Sequence, residues 1–281
     1  MKKRFLAVLA VILGMTGCGG DVETVQSDTE QTTQETQQTT QETQQTTTEE
    51  QTEPTFEDVE TSETEASSES LDNAAETIII AGQEFSVDEE GIVLYLSDIE
   101  NTTDVSELCK LNNLKSLQFV RVTDGNTPYI TGFSSLENCD TLESISIQVG
   151  FENDNDIYVL ETMPNLKSLD IYGAGAYDFW DFKLDSVEDL SLIGTIDLSK
   201  IDHLTNLKSL YLEYNSNTDL TPIEKLTNLE GLSIWECDFT DYSSLLELKN
   251  LKELYICSVP MDENMYNKLV AELPNCKITV K

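Results

Sequence analysis

The sequence predicts an α/β solenoid: a curved parallel sheet of about nine strands, short 3-10 or extended returns, and a C-terminal capping helix and strand. Three observations lead there. First, Leu207-Lys-Ser-Leu210-Tyr-Leu212, Leu229-Glu-Gly-Leu232-Ser-Ile234 and Leu251-Lys-Glu-Leu254-Tyr-Ile256 follow one another at a displacement of 22 residues. A fixed period of this size is the mark of one short unit stacked on itself. Second, the last two apolar residues of each unit flank a single residue, as in a strand whose alternate side chains point to opposite faces. Third, steps near 22 residues leave too little chain for a full α-helix in each return.

The elements follow in chain order. Lys2, Lys3 and Arg4 precede an apolar run from Phe5 to Met15. That run is too short to cross a bilayer core of about 30 Å, and the pattern is that of a secretory signal over residues 1–17. Met15-Thr16-Gly17-Cys18, with Gly19 and Gly20 after it, resembles the lipobox of bacterial lipoproteins. The resemblance implies cleavage before Cys18 and a diacylglycerol on its thiol, hence export and anchoring to the outer face of the cell membrane with the rest of the chain extracellular. An ordinary cleavage site followed by a free cysteine is the other reading.

Residues 18–76 form a second region, almost all Thr, Gln, Glu and Ser, with a tandem Gln34-Glu-Thr-Gln-Gln-Thr-Thr40 and Gln41-Glu-Thr-Gln-Gln-Thr-Thr47. Asp21 to Glu76 holds 17 acidic residues, and no Lys or Arg occurs from Phe5 to Cys109. Such a composition buries too little apolar surface to offset its ordering entropy, so a disordered tether is expected. A relaxed coil of this length spans roughly 40 Å, and a fully extended one at most about 190 Å. From Thr77 onward the chain has 36 acidic and 13 basic residues, a net of −23. Such a surface repels nucleic acid and anionic lipid, so neither is expected as a partner of the repeats. With Cys18 lipidated, Cys109, Cys139, Cys237, Cys257 and Cys276 remain, an odd number without close spacing. Mostly free, buried thiols are expected.

The inward pairs of the ladder are Leu94/Leu96, Leu117/Phe119, Ile145/Ile147, Leu169/Ile171, Leu190/Leu192, Leu210/Leu212, Leu232/Ile234, Leu254/Ile256 and Ile278/Val280. The unit resembles the leucine-rich repeat, L-x-x-L-x-L-x-x-N/C-x-L. Leu207 to Asn228 in particular resembles the 22-residue class of bacterial internalins, with Asp219-Leu-Thr-Pro-Ile223 standing for that class's return. Asn215 and Cys237 fall on the ladder asparagine, whose side chain in that family satisfies backbone groups of the turn. Ala174 and Gly150 occupy the same position earlier, where a less regular turn is expected. The repeat domain is placed at 77–260 and its cap at 261–281. Ile78–Ile80 and Ile92–Leu96 are read as a strand pair or an irregular first coil. Asp262 is read as the N-cap of a helix that Pro274 ends, with Met265, Leu269, Val270 and Leu273 facing the last repeat.

Function is expected on the concave face. The outward strand residues are Gln118, Ser146, Asp170, Ser191, Tyr211, Ser233 and Tyr255, with Val120, Gln148, Tyr172, Ile193, Glu213, Trp235 and Cys257 in a second row. Tyr172, Tyr211, Trp235 and Tyr255, with Tyr214 at the rim, gather toward the C-terminal half among Asp170, Glu213 and Glu236. Rings in such a setting suit recognition of a protein or glycan partner, and they also suit packing between adjacent strands. Phe151-Glu-Asn-Asp-Asn-Asp-Ile157 is oxygen-rich but lacks the glycine and terminal glutamate spacing of an EF-hand, and reads as a polar loop. In Tyr177-Asp-Phe-Trp-Asp-Phe182, Phe179 and Phe182 are read as core.

Catalytic residues, metal ligands and cofactors are not expected. The lone histidine, His203, falls on a return, and no phosphate-binding glycine loop or nucleophile–base arrangement is visible. The leading expectation is therefore a surface-anchored, monomeric binding module that is not an enzyme. An envelope-organising lipoprotein contacting neighbours through its edges is a second reading. A glycan hydrolase using two carboxylates such as Asp170 and Glu213 is a remote third.

Overall fold

The structure is a computed structural model that describes residues 76–97, 102–122, 126–173, 182–259 and 261–281. All of them lie in one compact unit, Glu69–Lys281. The signal segment 1–17, Cys18, the tether through residue 75, Ala174 and the stretch Tyr177-Asp-Phe-Trp-Asp181 lie outside the described residues.

The main sheet has nine parallel strands. In spatial order they are β3 (Gly91–Leu96), β5 (Ser116–Arg121), β7 (Ser144–Ile147), β9 (Ser168–Tyr172), β10 (Asp189–Ile193), β11 (Ser209–Glu213), β12 (Gly231–Trp235), β13 (Glu253–Cys257) and β14 (Lys277–Val280). Register follows the ladder: Leu169, Leu190, Leu210, Leu232, Leu254 and Ile278 are successive partners, as are Ile171, Leu192, Leu212, Ile234, Ile256 and Val280. From Leu117 to Ile256 these inward residues are buried, and each coil covers the apolar layer of the next. Removing a buried leucine from such a layer, Leu210→Ala for instance, costs about 2–5 kcal/mol.

The first rung departs from the expected alignment. Ile92 pairs with Leu117 and Leu94 with Phe119, so Leu96 stands opposite Arg121. Ile92, Leu94 and Leu96 alternate without a break, and two registers displaced by two residues present the same face inward. The start also differs. The antiparallel hairpin joins β1 (Thr77–Ile80) to β2 (Gln83–Ser86), not to the strand at Ile92, which instead forms the edge of the main sheet. Ala81 and Gly82 both have positive φ, 51° and 73°, as a two-residue turn of type I′ requires.

On the return side, 3-10 turns occupy Ser106–Lys110, Phe133–Leu136, Asp154–Thr162, Leu198–Lys200, Thr221–Lys225 and Ser243–Glu247. Several open on a carboxylate that accepts from the backbone two residues on: Asp104 from Ser106 at 2.9 Å, Asp197 from Ser199 at 3.0 Å, Asp219 from Thr221 at 2.9 Å and Asp241 from Ser243 at 2.8 Å. These Asx turns set the chain into each return. In the N-terminal half a second, three-stranded parallel sheet forms there from β4 (Thr103–Asp104), β6 (Tyr129–Thr131) and β8 (Gly150–Phe151). Between the two sheets the rings of Phe119, Phe133 and Phe151 pack edge to face, with centroids 6.1 and 5.1 Å apart. Phe151 and Ile157 are therefore core residues, and the intervening Asn153 caps a 3-10 helix by accepting from Asn155 N at 3.2 Å. Phe182 is buried, as expected.

The C-terminal cap is the helix α1 (Glu263–Glu272) followed by β14. Asp262 Oδ1 accepts from Met265 N at 2.9 Å. Leu269 and Leu273 are buried and Met265 packs on the core, but Val270 is 46 % exposed and does not share that face. Cys109, Cys139, Cys237, Cys257 and Cys276 are all unpaired; Cys237 and Cys257 are buried, whereas Cys109 is exposed, contrary to the expected burial.

Candidate functional site

The fold turns every second strand residue away from the core, and strand pairing lines these residues up across the sheet. One row runs Gln118, Ser146, Asp170, Ser191, Tyr211, Ser233, Tyr255 and Thr279. A second runs Tyr172, Ile193, Glu213, Trp235 and Cys257. A third, beside the first, is made mostly of small residues: Ser116, Ser144, Ser168, Asp189, Ser209 and Gly231. The rings stand beside this low floor.

Tyr211, Trp235 and Tyr255 form a zigzag column across β11, β12 and β13. Trp235 stacks on Tyr255 with centroids 5.0 Å apart and an interplanar angle of 23°, and Tyr211 lies 6.5 Å from Trp235 at 40°. At the far end Lys281 Nζ sits 5.6 Å from the Tyr255 ring centroid, a cation–π contact. Ring packing and an available ring surface coexist here: Tyr211 is buried at 7 % exposure, while Trp235 and Tyr255 are half-buried.

The polar groups beside the column are unusual for an outward face. Tyr211 donates its hydroxyl to Glu213 Oε2 at 2.9 Å, and Glu213 is only 5 % exposed. Burial pushes the Glu213 carboxyl up, the Tyr211 hydroxyl opposes this, and the carboxylates of Glu236 and Asp170 push it further up. Ser146 donates to Asp170 Oδ2 at 2.9 Å. Burial raises the Asp170 carboxyl against the nearby hydroxyls of Ser191 and Ser146. Burial, followed by the charges of Asp170 and Glu213, pushes the Tyr172 phenol up to about 12. Among the described residues, three of the four buried side-chain polar atoms without a hydrogen-bond partner lie here, Asp170 Oδ1, Ser191 Oγ and Trp235 Nε1; the fourth is Ser135 Oγ. A buried polar group without a partner costs about 1–3 kcal/mol.

One position past the strands lies a column of left-handed residues: Gly173, Gly194, Tyr214, Glu236 and Ser258, with φ of 68°, 116°, 55°, 47° and 56°. Each turns its N–H onto the next coil, as in Tyr214 N to Trp235 O at 3.1 Å and Glu236 N to Cys257 O at 3.1 Å. Tyr214 is therefore a rim residue, half-exposed beyond the column. Below it the ladder asparagine acts as expected. Asn215 Oδ1 accepts from Asn217 N at 2.9 Å and Ile196 N at 3.4 Å, and its Nδ2 donates to Ile196 O at 3.1 Å. One repeat later the Cys237 thiol lies 3.1 Å from Trp235 O, and burial pushes its pKa up to about 11. These side chains hold the segment that follows Glu213 and Trp235 in place.

The structure thus brings Asp170, Tyr172, Tyr211, Glu213, Trp235 and Tyr255 onto one face and leaves Tyr214 at its margin. The carboxylates considered for hydrolysis, Asp170 and Glu213, stand on β9 and β11 with β10 between them, and each is engaged by a hydroxyl. His203 is on a return, bonded through Nε2 to Phe182 O at 2.6 Å. Two features had escaped the sequence reading. Ser191 belongs to the site through its burial. Along the leading edge of the sheet, Glu90, Lys115, Glu143, Lys167, Glu188, Lys208, Glu230 and Lys252 alternate in sign on successive coils, joined by backbone bonds of 2.7–2.9 Å. Side-chain pairs close at Lys167–Glu188 (3.5 Å), Lys208–Glu188 (2.5 Å) and Lys252–Glu230 (2.6 Å). From Lys115 onward the signal was present as the residue after the first apolar position of each unit, visible only when the units are stacked in columns.

No family model matches the sequence, and no curated protein sequence matches it either. Among solved structures the chain is similar to internalin C2 of Listeria monocytogenes, at 21 % identity over 58 % of this chain and 73 % of that one, with a TM-score of 0.45. It is likewise similar to an internalin F of the same organism, at 20 % identity over 63 % of this chain and 57 % of that one, with a TM-score of 0.44. A leucine-rich-repeat protein of Leptospira interrogans matches at 19 % identity over 62 % of this chain and 45 % of its own length, with a TM-score of 0.43. The repeat spacing, the nine-stranded parallel sheet and the side-chain ladder at Asn215 make the fold of residues 77–281 a leucine-rich-repeat solenoid.

Proposed function

We propose that this chain is a surface-anchored recognition module whose concave face, from β9 to β13, binds a protein or glycan partner. The observation that carries the reading is the Tyr211–Trp235–Tyr255 column beside unpartnered polar atoms at Asp170, Ser191 and Trp235. Rings supply contact area at low entropic cost, and directional polar groups beside them select among ligands. Replacing Trp235 with Ala is expected to weaken binding to a captured partner by about 2 kcal/mol or more, the range of a central anchor. The affinity of purified variant and wild type, measured alongside thermal unfolding, tests it. Unchanged affinity in a folded Trp235→Ala protein sinks the concave-face reading.

The N-terminal segment fits the same role. Lipid on Cys18 would hold the module at the outer face of the membrane, and the acidic tether would carry it away from that surface. Cys18→Ala is expected to move the protein from the membrane fraction to the soluble one in cell fractionation. Retention of the variant in the membrane would rule the anchor out.

A further inference from the structure

The concave cluster gathers carboxyl groups without a basic side chain to match them. The charges that bear on Glu213 are those of Glu236 and Asp170, both of its own sign. Among the described residues, ion pairs with Lys occur along the leading edge of the sheet, on the returns and at the cap, at Glu188, Glu230, Glu107, Asp202 and Glu272, and none involves Asp170 or Glu213. Asp170 Oδ1 is left unpartnered beside the equally unpartnered Ser191 Oγ, whose residue is 3 % exposed. Buried carboxylates in this state are stabilised by an incoming cation far more than solvated ones are. The rings point the same way, because an aromatic face attracts ammonium and guanidinium groups. At its outer end the column already carries one such group, Lys281 Nζ over Tyr255. A bare metal ion suits the site less well: among the described residues no group of three His, Cys, Asp or Glu side chains converges to hold one. The stretch from Phe5 to Cys109 contains no Lys or Arg, so the tether supplies no cation.

Building on the concave-face reading, we propose that the partner is a protein segment bearing an exposed lysine or arginine. Its cationic head lies between Asp170 and Glu213, within reach of Ser191 Oγ, and its aliphatic stem lies along Tyr211 and Trp235. Long basic side chains are suited to this division, since stem and head differ in polarity. Guanidinium adds a planar face that stacks on a ring and a fork of donors for the free carboxylate oxygen, which makes arginine the better fit of the two.

The full chain in a Trp180→Phe background lets Trp235 report alone through its fluorescence. A short arginine-containing peptide is expected to give a saturable emission change. Its citrulline counterpart, equal in shape but uncharged, is expected to bind about tenfold or more weakly, and Asp170→Asn with Glu213→Gln is expected to weaken the arginine peptide to the same degree. A control pair on the returns, Glu224→Gln with Glu247→Gln, removes the same charge away from the site and is expected to change affinity by less than about twofold at physiological salt. Equal binding of arginine and citrulline peptides overturns the proposal. So does an equal loss in the control pair, which would mean attraction to the acidic domain as a whole. A response to a neutral oligosaccharide or to calcium, but not to the arginine peptide, overturns the cationic ligand while leaving the concave face as the binding surface. Absence of any response to the arginine peptide also overturns it, and the affinity of Trp235→Ala for a captured partner then judges the concave face separately.

Discussion

In the N-terminal half of the solenoid the returns close on one another through a second sheet, β4–β6–β8, whereas in the C-terminal half they close through side chains at Asn215 and Cys237. Two aromatic groups mark the same division. Phe119, Phe133 and Phe151 fill the space between two sheets and are buried. Tyr211, Trp235 and Tyr255 stand on the opposite face of the main sheet. Both halves bury rings, the C-terminal one at Phe239 and Tyr242, but only the N-terminal half packs them between two sheets, and only the C-terminal half adds a stacked column on the outward face. A solenoid with nearest-neighbour energetics permits this, because each coil needs only to match the coils beside it.

The sharpest way to break the comparison is at Gly132, which follows β6 and opens the 3-10 turn Phe133–Leu136. Its φ is +73°, and a Cβ there would lie 2.6 Å from Asp104 Oδ1 and 2.9 Å from Ser106 N. Gly132→Ala is expected to cost about 3 kcal/mol, from left-handed strain and the clash together. Thermal unfolding would then shift down by roughly 6–12 °C. A shift below a degree or two would mean that β4 and the turn at Ser106 are not fixed as described.

The corresponding change in the other half is Asn215→Ala. It leaves Ile196 O without its 3.1 Å donor and Asn217 N without its 2.9 Å acceptor inside a buried turn. The expected cost is about 2 kcal/mol, or roughly 4–8 °C in the same measurement. If the two halves differ as proposed, Asn215→Ala also disturbs Trp235 fluorescence while Gly132→Ala does not.

The smallest effect has the opposite sign. Asp170 is raised by burial, so its ionised form opposes folding. The stability this group contributes is full below the ordinary aspartate value of about 4 and is lost as pH rises through the raised value of the folded state. Asp170→Asn keeps an acceptor for Ser146 and offers a donor to Ser191. It is expected to stabilise the domain at neutral pH by about 1 kcal/mol, or roughly 2–4 °C. The gain disappears in unfolding curves recorded below about pH 4. A variant that is less stable than wild type at neutral pH would show that the carboxylate is satisfied in the folded protein. Gain in stability with loss of arginine-peptide binding is the trade expected of a residue kept for recognition.

Much of the architecture was legible because the inward leucines repeat at period two within strands and near 22 between them. The same clarity failed where elements are short. β4, β6 and β8 have two or three residues each, too few to show any period, and β2 (Gln-Glu-Phe-Ser) carries a single apolar residue. The first rung slipped by two because Ile92, Leu94 and Leu96 offer two equivalent registers. At the site, alternation located Tyr211 and Glu213 on the outward face, but nothing in alternation tells that both are more than nine-tenths buried there. That depends on which large neighbours flank them across three strands. Val270 failed for a related reason: helical spacing alone does not fix which side of α1 meets the last coil.

The alternating Glu and Lys residues from Glu90 to Lys252 give this part of the solenoid a parity, which ends where Lys277 N–H bonds to Lys252 O. Deleting or duplicating a single coil brings two like charges face to face at the new junction, whereas removing or adding coils in pairs restores the alternation. Each junction is partly exposed and contributes little by itself. Its influence is on the order of the stack: along this edge a change by one coil leaves a like-charge junction, whereas a change by two does not.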